Sequence, residues 1–405
     1  MTRFITNTGV AIISNRTVRP IIQGVAVAFL AISSVAMVGC SKTIKPDEHK
    51  PTKLVQLEQQ VNLLEPVFAV TTSAKGNAKD PLSLQVGLNG NQVIVASRDG
   101  NVSAYDAQGK NLWQVNVGSE ITGGVAVDAS HDIAIVSTRD AKIIALDGKT
   151  GQVRWQRPTT GTILSPALIH NNRVIVSGND GLLQGLSLQS GNPVWQFATQ
   201  VPSISVRGSA SPVLLDDSTV LIATADGRLH ALNIETGQPL WSRRVGVPSG
   251  ASEVQRMTDI DGNPVVDNGQ LFAISYSGQL VGVDLRSERI LFVQDASSLK
   301  SLATTNDSVI ATTLSGDVKA FNRVTGEPMW ENSELRYRQL TNPVLIGNYI
   351  AVGDLEGVVH LLSPQTGKIV SRTSTKGALS TLQVQADNLM TQSQSGQVNI
   401  WRLSH

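Results

Sequence analysis

The chain has 405 residues, with 33 basic against 32 acidic side chains and a net charge of +1, so no whole-chain field recommends nucleic acid as a partner. Charged residues make up only 16%, below the roughly 25% usual in globular proteins; Gly, Ser, Thr, Val and Gln take their place, a mix suited to short strands and tight turns and poor for long charged helices. The single cysteine, Cys40, excludes an intrachain disulfide, a cysteine-rich zinc site and a vicinal cysteine pair.

The first segment reads as an address. Residues 1–19 carry Arg3, Arg16 and Arg19 with no acid, and residues 20–39 are uncharged and mostly apolar. A basic head before an apolar run is a secretory signal pattern. The run ends in Met37-Val38-Gly39-Cys40, which resembles a bacterial lipobox and implies that Cys40 becomes the lipidated N-terminus of the mature chain. The other reading is an uncleaved membrane span, since about 20 apolar residues can cross a bilayer. Ser41 follows the cysteine, and by resemblance to enterobacterial sorting this implies delivery to the outer membrane, with the protein on its periplasmic face. Several acyl chains, at about 0.8 kcal/mol per buried CH₂, would anchor it stably. Residues 40–63 are polar, with Pro46 and Pro51, and predict a flexible tether with an r.m.s. reach of roughly 25 Å.

From residue 64 onward one unit repeats eight times. Its alternating runs begin at Gly100, Ala141, Gly181, Gly227, Gly278, Gly316, Gly357 and Gly396, at spacings of 41, 40, 46, 51, 38, 41 and 39 residues. Each follows a β-branched run such as VIVAS or VIVSG, and the two are joined by a tight turn, often Asp-Gly, which is a strong hairpin signal. A repeat of about 40 residues with a period of 2 predicts an all-β, eight-bladed β-propeller of four-stranded antiparallel blades. The fourth strand is marked by an aromatic after a turn glycine: Trp113, Trp155, Trp195, Trp241 and Trp330, with Phe292 in the fifth blade and only Ser371 in the seventh. These rings are expected to wedge between blades. Trp401 falls on a third strand and is not counted with them. The eighth repeat stops before its fourth strand, but Glu65-Pro66-Val67-Phe68 lines up with Gln238-Pro239-Leu240-Trp241. The N-terminal strand is therefore expected to complete the last blade, closing the ring and removing its exposed edges.

The two longest spacings, 46 and 51, arise between the fourth strand of one blade and the first of the next. Such connections share one face of a propeller, and extra loop length on neighbouring blades marks a binding surface. In Pro202-Ser203-Ile204-Ser205-Val206-Arg207-Gly208, Ile204 and Val206 can point the same way, and Arg207 can offer a forked donor to a carboxylate. The alternative is that Ile204 and Val206 pack the loop onto its blade while Arg207 pairs internally with Asp259 or Asp261. Ser333-Glu334-Leu335-Arg336-Tyr337-Arg338 on the same face is a weaker candidate extension, with a solvated charged loop as its plainer reading.

The recurring pattern Ala145-Leu146-Asp147…Thr150-Gly151…Trp155 resembles the repeat of pyrroloquinoline-quinone-type propellers. With the lipobox and eight repeats, residues 40–405 resemble the BamB family of outer-membrane assembly lipoproteins. The resemblance implies a scaffold of the β-barrel assembly (BAM) complex that binds the periplasmic POTRA domains of BamA, with contact positions Ile204, Val206, Arg207, Asp259 and Asp261. Edge pairing with nascent outer-membrane strands is a further partner option that the sequence leaves open.

No catalytic role is expected. The rival reading, a quinone-dependent dehydrogenase, would need an adjacent cysteine pair and a calcium site, and no cysteine besides Cys40 exists. Asp106, Asp147 and Asp284 recur where turn formers sit. The six histidines show no metal-ligand spacing, and no catalytic motif is present; no cofactor or metal is expected. A cell-wall-binding propeller is a third reading, disfavoured because most tryptophans occupy wedge positions.

Overall fold

The computed structural model describes residues 50–57, 61–72, 82, 84–203, 210–247, 257–385 and 387–404. The signal-like run, Cys40, Ile204, Val206 and Arg207 lie outside them.

Eight four-stranded antiparallel sheets form among these residues. Seven are built from consecutive strands, spanning 86–116, 121–158, 168–198, 213–244, 265–295, 303–332 and 344–374. The eighth takes three strands from 379–403 and its fourth from Leu64–Thr71. That strand pairs antiparallel with Gln397–Leu403, Leu64 opposite Leu403 and Thr71 opposite Gln397. This is the expected eight-bladed propeller with its ring closed between chain start and chain end. Strands are called A to D from first to fourth in each blade; first strands of successive blades touch one another, so A is innermost.

Burial follows from this stacking. The B strands, such as Gln92–Ala96 and Arg173–Ser177, are buried along nearly their whole length because neighbouring blades cover both faces, so they read as continuous β-branched runs. The D strands, such as Asn111–Asn116 and Pro193–Ala198, alternate: only the aromatic and its alternate neighbours turn inward. Hydrophobic clusters span pairs of blades, for example Ile94, Trp113, Ala134 and Ile144 across blades 1 and 2.

The wedges share one geometry. Trp113, Trp155, Trp195, Phe292 and Trp330 each lie against the glycine of the next blade's C–D turn. A Cβ added at Gly151, Gly191, Gly237, Gly326 or Gly367 would fall within 2.3–2.5 Å of the ring. All five glycines have φ between +68° and +74°, so steric fit and backbone conformation both demand glycine there. The four indoles among these wedges donate to a backbone carbonyl of the same turn: Trp113 to Gly148 at 3.1 Å, Trp155 to Leu188 at 2.8 Å, Trp195 to Ile234 at 2.9 Å and Trp330 to Pro364 at 2.7 Å.

Three seams depart from the rule. Between blades 8 and 1 Phe68 stands farther off, 4.0 Å from a Cβ placed on the turn glycine Gly109. Between blades 4 and 5 the turn glycine is replaced by Glu288, at φ +55°. Trp241 is left only half-buried, and an open groove of about 480 Å³ lies along it, lined by Leu215, Leu240, Arg243, Leu285 and Glu288. Between blades 7 and 8 no C–D turn exists, because the third and fourth strands of blade 8, 397–403 and 64–71, are not consecutive in the chain. A ring at position 371 would have no turn to stack on. Ser371 is fully buried instead, donating to the Val61 carbonyl at 2.6 Å, and Trp401 reaches into the core shared by these two blades from its third strand.

The stretch 40–63, expected to be a tether, is in its described part bound to the propeller. The Thr52 amide donates to the Arg336 carbonyl at 3.0 Å and its hydroxyl to the Glu334 carbonyl at 2.7 Å. Arg338 donates to the Thr52 carbonyl at 2.8 Å and Arg372 to the Val55 carbonyl, while Leu54 packs on the core of blades 6 and 7. Composition predicted mobility because polar side chains bury little apolar area; here most of the docking bonds are made by backbone groups of the segment, which composition does not reveal, with Leu54 adding one apolar contact.

Candidate docking face

The D-to-A connections and B–C turns share one face. Of the two long connections singled out in the sequence, 199–212 and 245–264, the described parts are laced together near the inner strands. The Ser211 amide donates to Asn263 Oδ1 at 2.7 Å, and the Asn263 amide to Ser301 Oγ at 2.9 Å. Ser165 Oγ donates to the Ala210 carbonyl at 3.4 Å. These bonds tie connections from four blades to one another, so the described ends of the two long connections belong to one laced base.

Of the five sequence-derived contact residues, Asp259 and Asp261 can be placed. Asp259 is fully buried, and its carbonyl accepts the Tyr276 amide at 2.8 Å. Thr258 and Ile260 beside it are also buried. Asp261 is half-buried. Removal from water, then the neighbouring Asp259 charge, push its carboxyl up to about 7, with Lys300 opposing the rise. Burial lowers the Lys300 ammonium below its ordinary value, with Asp261 pulling the other way. Asp261 thus feels both its neighbour Asp259 and Lys300 from the following connection. Lys300 also lines a cavity of about 510 Å³ on this face, with Tyr337, Gln339, Leu355, Ser380 and Gln394.

The third candidate segment, 333–338, is not an open charged loop. The docked residues around Thr52 cover its backbone, as described above. Arg336 pairs with Asp317 at 2.6 Å. Arg338 is buried and donates to Asp354 at 2.8 Å and to Glu356, and Asp354 also meets the buried His360 at 2.9 Å. Burial alone would raise the Asp354 carboxyl, but His360, the Val358 amide and Arg338 hold it below the usual range. Sequence reading singled out Arg338 only as part of a candidate surface loop and missed Lys300 and the Asp354–His360 pair, because no spacing marks charged residues that meet only through the fold.

The repeat aspartates act as turn formers: Asp106 Oδ1 accepts the Gln108 and Lys110 amides at 3.0 and 2.9 Å, and Asp147 Oδ1 those of Lys149 and Thr150 at 3.1 and 2.9 Å. His230 packs edge-on against Phe197 at 5.4 Å. Among the described residues no three His, Cys, Asp or Glu side chains gather into a metal-binding group.

Comparison with known proteins places this geometry. The profile of the family described as outer membrane protein assembly factor BamB matches residues 98–332 and 314–405. The outer membrane protein assembly factor BamB of Yersinia pestis is 30% identical over 385 residues, covering 91% of this chain and 97% of that protein. Its counterpart in Escherichia coli K12 is 30% identical over 362 residues, covering 84% and 89%. Among solved structures, BamB from Moraxella catarrhalis superposes with a TM-score of 0.80 at 48% identity, over 84% of this chain and all of that one. A quinohemoprotein alcohol dehydrogenase from Pseudomonas putida reaches a TM-score of 0.66 at 12% identity, a likeness of fold alone. On these matches the chain belongs to the family of outer membrane protein assembly factor BamB.

Proposed function

We propose that this chain is a non-enzymatic scaffold lipoprotein of the outer-membrane β-barrel assembly machinery. It is anchored through Cys40 at the periplasmic face of the outer membrane, and it binds the POTRA domains of BamA through the face that carries the long D-to-A connections. The observation that carries the reading is family membership along almost the whole propeller, combined with long connections of adjacent blades whose described ends share one laced base. The fold supplies a rigid platform, and the loops 199–212 and 245–264 supply the contact.

The charged residues divide the work. Asp259 lies too deep to meet a partner directly and acts by holding the base of the 245–264 connection. Asp261 and Arg207 are the charged groups assigned to the contact, with Ile204 and Val206 as its apolar part. The test is affinity capture of membrane complexes through the full chain. The unaltered protein is expected to bring down BamA, and Arg207→Glu to weaken that capture at least tenfold while the variant keeps the thermal transition of the parent. Unchanged capture by folded Arg207→Glu protein would remove Arg207 from the contact, and no BamA with the parent would refute the reading.

A further inference from the structure

The docked segment decides where the anchor leaves the propeller. Thr52 sits on the connection 333–343 between blades 6 and 7, on the same face as the 245–264 connection. It is held there by the carbonyls of Glu334 and Arg336 and by the Arg338 guanidinium. From Thr52 the chain meets Arg372 at Val55, then Ser371 at Val61. The Ser404 hydroxyl donates to the Asn62 carbonyl at 3.1 Å and its amide to the Leu63 carbonyl at 3.1 Å. Leu64 then begins the last strand of blade 8 at the opposite face, opposite Leu403. The described residues 50–57 and 61–63 therefore step from one face to the other along the outside of blades 7 and 8, as a strap, before the chain turns back into the sheet.

The hold at Thr52 sets the longest reach of the chain from Cys40. Twelve residues span at most about 40 Å when fully extended, and about 20 Å r.m.s. as a coil. A free chain up to residue 63 would instead emerge at the far face, where Leu64 starts. We infer that the strap turns the face of the D-to-A connections toward the lipid surface, so that the partner-docking loops and the membrane lie on the same side of the propeller. This inference rests on the Cys40 anchor proposed above. The strap's hold is built from buried parts. Arg338 is nearly inaccessible and is fixed by Asp354 and Glu356, so its guanidinium is already aimed at the Thr52 carbonyl when the strap arrives.

Cys40 is the only thiol in the chain, and once acylated it leaves any introduced cysteine as the single labelling site. Lys376→Cys probes the connection between blades 7 and 8 on the inferred membrane side; Gln365→Cys probes the C–D turn of blade 7 on the opposite face. Both positions are exposed. With the full lipidated chain in phosphatidylethanolamine–phosphatidylglycerol vesicles containing headgroup-labelled quencher lipid, a fluorophore at 376 is expected to be quenched at least twofold more than one at 365. Thr52→Pro removes the amide and hydroxyl donors from outside the sheets, where the fold does not depend on them, and is expected to erase the difference. Equal quenching at the two positions of an acylated chain overturns the inference, as does a difference untouched by Thr52→Pro. Intact-mass measurement separates the two layers: absence of acyl mass at Cys40 refutes the anchor and this inference with it. Hydrogen exchange at Thr52 in unacylated Cys40→Ser protein tests the strap alone, with protection expected and free exchange overturning it.

Discussion

Asp261 shows how much a single side chain can say about a surface that the sequence could only outline. Its carboxyl titrates near 7 in the fold against 3.8 in an unstructured chain, so between those values the folded state holds a proton that the unfolded state has released. Stability from this group is therefore complete below about pH 4 and declines as the pH rises to 7, opposite in sign to an ion-paired aspartate. The full shift corresponds to at most about 4 kcal/mol, and partial exposure reduces that. Asp261→Asn is expected to match the parent in urea at about pH 3, below the unfolded-state value, and to exceed it by about 1–3 kcal/mol at pH 8. A parallel pH dependence in parent and variant would show that Lys300 already neutralises the site. The same titration carries a functional consequence, because a partner cation aimed at Asp261 would restore its charge at neutral pH, at the cost of a proton.

At the scale of elements, the blade seams separate what the sequence made legible from what it hid. The repeat spacing, the turn glycines and the aromatics were readable because each blade solves the same packing problem with the same residues; eight solutions in register leave little ambiguity about strand order. Even the closing strand was readable, from the match of Phe68 to Trp241. The strap was not, since its bonds run through backbone carbonyls at 52, 55 and 61 to side chains some 300 positions away, and no residue pattern announces that. Nor could Asp259 be read as buried, because the connection it belongs to, 245–264, has no periodicity. The seam between blades 4 and 5 lies in between: the repeat reading kept Phe292 in place without singling out Glu288 in the glycine position, and the effect of Glu288 on Trp241 follows only from the geometry. A non-glycine residue at φ +55° costs about 1 kcal/mol, while the exposed Arg243–Glu288 pair, at 3.3 Å, returns well under that. Glu288→Gly should stabilise the protein by up to about 1 kcal/mol, whereas Gly237→Glu, which would drive a Cβ to 2.5 Å from the Trp195 ring, should cost about 2–3 kcal/mol. Urea midpoints for the pair measure both signs, and a destabilised Glu288→Gly protein would show that the groove beside Trp241 depends on the glutamate.

For the whole molecule the decisive feature is that the ring is shut by a strand with no hairpin of its own. Every other D strand is covalently held to its neighbour by a C–D turn; Leu64–Thr71 is held by its ladder to 397–403, by the bonds around Ser371 and Ser404, and by Phe68. That ring lies among Val86, Val93, Val95, Met390, Val398 and Ile400 and meets Tyr105 edge-on at 6.1 Å, so it joins blade 8 to blade 1. Truncating a buried phenylalanine costs about 3–5 kcal/mol wherever it sits, but the response should differ with topology. In Phe292→Ala the weakened strand, Arg289–Asp295, stays tethered by its turn. In Phe68→Ala the weakened strand can leave as a unit, exposing the edge of blade 8 and opening the ring at one point while seven blades remain stacked. Hydrogen exchange under native conditions should therefore show residues 64–71 opening well below the global unfolding free energy in Phe68→Ala, with no such separation for 289–295 in Phe292→Ala. Equal behaviour of the two strands would mean that the strap and the ladder, not the aromatic, keep the propeller closed.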